Sequence, residues 1–475
     1  MNLDMKNIKI FFVAVVVLFT SFSCDKVLDI NTDPLAATAA DPNAVLPYVI
    51  VQYSNRKITE LGTRMSDVPQ YISACFNSPR RGPTTSFLTG NTWNMMYVQV
   101  LGNLSLVEKD ALAAGPTSNN VAAIAKILSS LIYYELTSIW GDVPYTEAIN
   151  GQEFQSPKFD TQETVLRGVV SDLDEAMTLI DTREVVGEFK VSQGDLIYGG
   201  DMDMWRRYAN SLKLRVLMML RNKDTSVDTQ IATCLSQPLI DDNSQVAILP
   251  YSNSPGGMNA WQNILEAFFG NDNESVLVHG PGIPFHDLLV AKNDPRYGLF
   301  IYDPNNGGSP GNGIFPTPTT AAIRNNVIRR DLSDLWFLAA EVSFYKAELA
   351  LKGVAAAGDA NTNYQTGVRQ ILEFWGQDIP GAQITLDNPT IDAYIAGLTA
   401  PTLNEVYEQE YLAAFMCPVL AWNHVRRNKI PALSPPSNTS ITTILKRFTY
   451  PPAEISANPN TPTNLATDVP MWFEN

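Results

Sequence analysis

Histidine is scarce in this chain, with three in 475 residues. Acid–base chemistry and imidazole metal sites therefore have few candidates. His279 and His286 flank the stretch GPGIPF, and His424 lies far away in WNHVRRN. HExxH and CxxC are absent, which removes the usual signatures of zinc hydrolases and thiol oxidoreductases. Cysteine is nearly as rare: Cys24, Cys75, Cys234 and Cys417. Beyond Cys24 an odd number remains at wide spacing, so neither a disulfide framework nor a zinc pattern follows. Three buried free thiols are expected, with one bridge and a spare thiol as the alternative. Basic residues are also in deficit, 33 against 49 acidic ones, for a net charge of −16. That excludes the basic footprint of a nucleic-acid binder and electrostatic adhesion to anionic lipid.

Long apolar runs are missing too, apart from one at the start. Ile10 to Phe22 covers roughly 13 residues, short of the about 20 needed to cross a bilayer. Lys6 and Lys9 precede it and Ser21 and Ser23 close it, the layout of a secretory signal, although Asp4 is atypical there. Ser21-Phe22-Ser23-Cys24 resembles the bacterial lipobox, with Phe22 departing from the commonest pattern. The resemblance implies cleavage before Cys24 and acylation of its thiol. Each buried methylene contributes about 0.8 kcal/mol, and two acyl chains hold a protein stably on a membrane. The expected layout is a signal over 1–23, a lipidated tether over 24–42 and a single domain over 43–475.

What the chain does contain is globular, with 45% hydrophobic and 17% charged residues. Apolar residues recur at helical spacing in seven stretches. Examples are Trp93, Met96, Tyr97, Val100, Leu101 and Leu104; Val121, Ile124, Leu128 and Leu131; and Trp205, Tyr208, Leu212 and Val216. Another is expected to begin at Leu332, Leu335, Trp336 and Ala339 and to run to Leu351. The helices fall into neighbouring pairs, such as 91–113 with 119–139 and 331–352 with 361–375, so a mainly all-α helical-repeat scaffold with few short strands is expected. No clean 34-residue period accompanies the pairs, so the periodicity alone does not establish tetratricopeptide repeats. Long irregular tracts separate them, at 76–92, 250–260, 270–330 and the last sixty residues.

Those tracts carry the candidate binding chemistry. DPNNGGSPGNG lacks the lysine of a phosphate loop, and Ile314 stands where a calcium loop needs glutamate. With 49 acids in the chain, a pair at glycosidase spacing carries little weight. No catalytic residue, metal site or cofactor is expected. Aromatic rings stack on the C–H faces of sugars, and Arg, Asn and Asp hydrogen-bond their hydroxyls. NSPRRGPTTSFLTGNTWN supplies Asn77, Arg80, Arg81, Trp93 and Asn94 for that purpose, and Trp261 and Tyr302 are further loop candidates. Trp93 has a competing reading, because its spacing also turns it toward a helix core; Trp261 is ambiguous in the same way. Trp205, Trp336 and Trp375 lie on helical stripes and are read as core.

Several phrases, in order along the chain, resemble the SusD/RagB family of nutrient-binding outer-membrane lipoproteins of Bacteroidetes-type bacteria. They are LDINTDP at 28–34, IWGDVPYTEA at 139–148, SDLDEAMTLI at 171–180 and GDLIYGGDMDMWRRYANSLKLRVLMML at 194–220. NDPR at 293–296, AELALKG at 347–353, WNHVRRNKIPAL at 422–433 and RFTYPPAEISANPN at 447–460 complete the set. His424 departs from the family's W-x-E-x-R-R, which puts any polar role of that position in doubt. The resemblance implies tetratricopeptide-like helix pairs and a lipid-anchored position on the cell surface. It also implies a SusC-like TonB-dependent β-barrel transporter as partner. The work implied is non-catalytic capture of an oligosaccharide, or in some members a peptide, which is passed to the barrel. Peptide binding on the same scaffold and a surface glycoside hydrolase are the alternatives.

Overall fold

In the computed structural model of the chain, the described residues are 41–72, 86–183, 191–269, 280–303, 321–324, 326–435, 443–463 and 465–474. The expected signal, Cys24 and nearly all of the tether lie outside them, as do Asn77, Arg80, Arg81, Cys75 and His279.

Helices dominate. α1 (Pro42–Arg56) continues through a π-helical segment, Lys57–Gly62. α2 (Ser86–Asn94) passes through a second π-helical segment, Met95–Leu101, into α3 (Gly102–Ala114). α4 (Asn119–Trp140), α5 (Gln162–Leu179), α6 (Met202–Arg221) and α7 (Asp228–Leu235) follow. Each of α3 to α6 packs on the next one in sequence. This is the antiparallel neighbour packing that short connections impose on amphipathic helices. The segment Pro116–Trp140 is long and apolar enough to cross a membrane, yet 83% of its apolar window is buried, with α3 and α5 packed on α4. It is a core helix.

Local chemistry marks the helix ends. Thr161 caps α5, and the Asp201 carboxylate accepts from the Asp203 and Met204 N–H groups at the start of α6. Gly141 ends α4 at φ 84°, where a side chain would press on Arg447 and Met471. Asp195 organises the loop before α6. It accepts from the N–H groups of Ile197, Tyr198 and Gly200 and from Trp205 Nε1 at 2.7 Å.

The second half begins with β1 (Ala247–Leu249), α8 (Ala260–Phe269), α9 (Ile283–Ala291), α10 (Arg296–Phe300), β2 (Ile301–Tyr302), β3 (Ala322–Ile323) and β4 (Asp334–Phe337). α11 (Ala339–Leu351), α12 (Ala360–Glu373), α13 (Asn388–Ala396), α14 (Leu403–Ala413), α15 (Pro418–Asn428) and α16 (Pro452–Ala457) complete it. α11 packs on α12 and α14, as the pairing 331–352 with 361–375 anticipates. Among the described residues there are two small antiparallel sheets, β1 with β4 and β2 with β3.

One expected helix start is corrected. Leu332, Leu335 and Trp336 do not open a helix; Asp334–Phe337 is strand β4, and α11 starts only at Ala339. β4 is buried at every position and takes its hydrogen bonds from β1, more than eighty residues earlier. A short run buried on both faces shows no period that separates strand from helix. The thiols are also refined: Cys234 and Cys417 are free, but Cys417 is only partly covered.

The apolar core forms two clusters. One gathers α1 and α3 to α6; the other gathers α9 to α12 and α14. A seam of buried ion pairs joins elements of the two. Lys57 donates to Asp334 at 2.9 Å, and Arg215 on α6 grips Glu341 on α11 at 2.6 and 2.8 Å. Arg427 on α15 donates to Glu348 at 2.7 Å and to Glu410 at 2.9 Å.

Candidate functional site

Most of the quoted motif residues turn out to hold the fold together. Asn210 donates to the Cys234 and Pro238 carbonyls, and Ser211 accepts from the Ile240 N–H. Tyr145 donates to Asp172 at 2.5 Å, while Asp160 receives the N–H and hydroxyl of Thr146. In WNHVRR, Asn423 donates to Tyr134 and Ser138, and the Arg426 guanidinium lies 3.8 Å over the Trp422 ring. None of these groups presents free chemistry to a ligand. The cavities along the ionic seam hold about 20 Å³ each, room for a water molecule and not for a sugar ring. Among the described residues no group of His, Cys, Asp and Glu is arranged to hold a metal.

The sequence candidates separate into three groups. Trp93 is in the core. It is 9% exposed and packs against Tyr97 at 4.6 Å, Trp140 at 5.1 Å and Tyr450 at 6.1 Å. Its neighbour Asn94 is exposed. Trp261 is buried in the second cluster, where its ring covers Gly62. Tyr302 is half-buried on β2, with the Arg324 guanidinium 5.6 Å from its ring centre. The structure therefore does not bring Trp93, Trp261 and Tyr302 together on one surface. Asn77, Arg80 and Arg81 belong to the stretch that follows Ile72.

Ile72 itself lies at a junction of chain segments. Ile72 and Pro281 form a β-bridge, and the Gly282 N–H donates to the Tyr71 carbonyl at 2.8 Å. The Tyr71 hydroxyl donates to the Tyr411 carbonyl, the Tyr411 hydroxyl to the Pro69 carbonyl, and Gln70 Nε2 to the Ser434 carbonyl at 2.6 Å. Gly282 is required there, because a Cβ would lie 1.9 Å from the Gln70 carbonyl oxygen.

α9 starts at this junction and divides its side chains between core and surface. Phe285 stacks on Phe415 and is fully buried, whereas Ile283, Asp287 and Val290 line the solvent face. His286 lies at the edge between the two. Its Nδ1 is 2.9 Å from Asp287 Oδ1, and its Nε2 is 3.4 Å from the Tyr297 hydroxyl. The rings of His286 and Tyr297 meet edge to face at 5.6 Å. Tyr297 also hydrogen-bonds the Asp303 carboxylate. Burial first, and then the Asp303 charge, hold its phenol above the ordinary tyrosine range. Arg324 donates through Nε to the Ile301 carbonyl, which fixes its guanidinium beside Tyr302. Tyr297, Tyr302, His286, Asp287, Asp303 and Arg324 thus form one surface patch of rings and hydrogen-bonding groups. Sequence reasoning picked Tyr302 and missed the rest. The available signal was the spacing of His286, Tyr297 and Asp303 around NDPRYG, but nothing local shows that they converge.

A SusD-like family model, described as starch-binding associating with outer membrane, matches residues 34–451. No curated protein matches. Among solved structures, one titled Bacteroidetes AC2a SusD-like superposes with a TM-score of 0.76 at 21% identity, covering 92% of this chain and 100% of that one. A chitin-binding protein superposes with a TM-score of 0.76 at 22% identity, covering 88% and 94%. A SusD homolog from Bacteroides uniformis gives 0.73 at 20% identity, covering 91% and 99%. At these identities the structures establish a shared fold.

Proposed function

The chain belongs to the SusD-like family, and from that membership we propose that it captures an oligosaccharide at the cell surface and passes it to a SusC-like TonB-dependent β-barrel transporter. The observation that carries this reading is the family match over residues 34–451. The patch around Tyr302 supports it, because it combines what a glycan needs for weak, repeated contact. Tyr302 and Tyr297 offer ring surface, and His286, Asp287, Asp303 and Arg324 offer oriented polar groups. Capture requires no bond making or breaking. Acylation of Cys24 holds the protein at the outer membrane, and confinement of both proteins to one surface raises their effective concentration.

The test uses the soluble form starting at Asp25 on combined glycan and peptide arrays, followed by calorimetry on the best ligand. Tyr302→Ala is expected to weaken glycan binding by about tenfold, a loss of roughly 1.4 kcal/mol of stacking, with an unchanged melting temperature. Binding of peptides with no glycan signal, or full affinity in Tyr302→Ala, refutes the assignment.

A further inference from the structure

The start of α15 poses a hydrogen-bonding problem that its own sequence does not solve. The first turn of a helix leaves N–H groups without an acceptor inside the helix, and a polar side chain at the N-cap normally takes one of them. Pro418 removes one such donor, because proline has no N–H. Val419 and Leu420 keep theirs. The N-cap residue is Cys417, and it makes no side-chain capping bond. Its Sγ lies 3.7 Å from the Leu335 carbonyl instead, and a thiol is a weak acceptor. Pro418 and Val419 are buried, so this end of the helix is set inside the protein. α4 has the converse problem. Glu135 is 6% exposed, and among the described residues its Oε2 has no hydrogen-bond partner. Glu135, Pro418, Val419 and Leu420 line one cavity of about 20 Å³, together with Lys57 and Arg215. Donors without an acceptor and an acceptor without a donor therefore border the same small space.

We propose that this cavity is a water site built into the fold: one bound water accepts from the N–H groups at the start of α15 and donates to Glu135 Oε2, so that a carboxylate on α4 caps α15 from the first half of the chain. The size of the cavity suits a single water. Its lining favours water over an ion. Lys57, Arg215 and the positive end of α15 repel a cation, while the Glu135 carboxylate repels an anion. A neutral molecule that both accepts and donates serves the two sides at once. The site is independent of any glycan. Its effect is to fix where α15 begins. That helix carries Arg426 and Arg427, whose bonds to Ser138, Glu348 and Glu410 close the ionic seam, so the water positions both guanidinium groups.

A high-resolution crystal structure of the mature protein tests the site directly. One ordered water is expected within hydrogen-bonding distance of the Val419 or Leu420 N–H and of Glu135 Oε2. A dry cavity, a direct bond from Glu135 to the helix, or a water that leaves Glu135 unbonded overturns the proposal. Urea unfolding gives the readout in solution. Cys417→Ser offers α15 a local cap, Glu135→Met removes the distant acceptor at similar volume, and Glu135→Gln keeps an oxygen that accepts from water. Cys417→Ser should raise the folding equilibrium constant of Glu135→Met by about fivefold more than it raises that of the parent or of Glu135→Gln, the effect of one N-cap. An equal effect in all three backgrounds overturns the capping role, even with water in the cavity. Should Glu135→Met not fold, the crystal structure of Cys417→Ser decides instead. The new hydroxyl should take an N–H away from the water, and a water with unchanged bonds overturns the proposal.

Discussion

His424 lies with Nδ1 3.3 Å from a Glu410 carboxylate oxygen, yet the two do not form an ion pair. Burial, followed by the Arg427 charge, pushes the imidazole from 6.5 down to about 3, so the folded ring is neutral. The unfolded chain takes up the proton first. The contribution of His424 is therefore fully present above about pH 6.5 and lost as pH falls toward 3, by up to about 1.4 kcal/mol per pH unit. His424→Gln should flatten this slope. Urea midpoints at neutral pH and about pH 5 are expected to differ less in the variant than in the parent, by about 2 kcal/mol of stability. Equal differences would show that the ring is not the source. Trp93 gives the second prediction at this scale. Enclosed by Tyr97, Trp140, Phe159 and Tyr450, it should cost about 3–5 kcal/mol when replaced by alanine. Trp93→Phe should recover much of that loss, and glycan affinity should stay normal in both. Reduced affinity with unchanged melting would move Trp93 from the core to the ligand.

Elements show the same division between local rule and distant partner. α14 is written into its own sequence: Thr402 accepts from the Glu405 N–H, and the Glu405 side chain returns to the Thr402 N–H at 2.6 Å. That capping box needs nothing beyond four consecutive residues. β4 is the opposite case, since its strand state depends on β1. The junction where α9 starts depends on one missing atom. In Gly282→Ala the new methyl collides with the Gln70 carbonyl, which is held in place by the neighbouring bonds of Tyr71 and Tyr411. The expected loss is about 1–3 kcal/mol, with weaker ligand binding because α9 carries His286 and Asp287. Unchanged melting and affinity would mean that the junction yields freely.

At the scale of the molecule, the ionic seam ties elements far apart in the chain. Lys57 and Asp334 are 277 residues apart, and Arg215 and Glu341 are 126 apart. For Arg427, burial works against the charge, but Glu348 and Glu410 outweigh it and keep the guanidinium ionised. Arg427→Met would remove the buried cation shared by two carboxylates, leaving Glu348 to Lys352 and Glu410 to the Asn428 amide, and the expected cost is about 3–5 kcal/mol in chemical denaturation. A neutral result would show that water or Lys352, which lies 2.5 Å from Glu348, replaces it.

Amino-acid order by itself determined most of the helical stripes and their pairing, because periodicity and short connections act within a few residues. It also determined the family, through phrases that the structure explains as internal contacts of Asp195, Asn210, Asn423 and Arg427. Only the tertiary structure decided that Trp93 and Trp261 face inward, that 334–337 is a strand, and that His286, Tyr297, Asp303 and Arg324 share a surface with Tyr302. The reason is physical. A helix or turn is selected by neighbours along the chain, whereas the direction a ring faces and the partner a carboxylate meets depend on which distant segments pack against it.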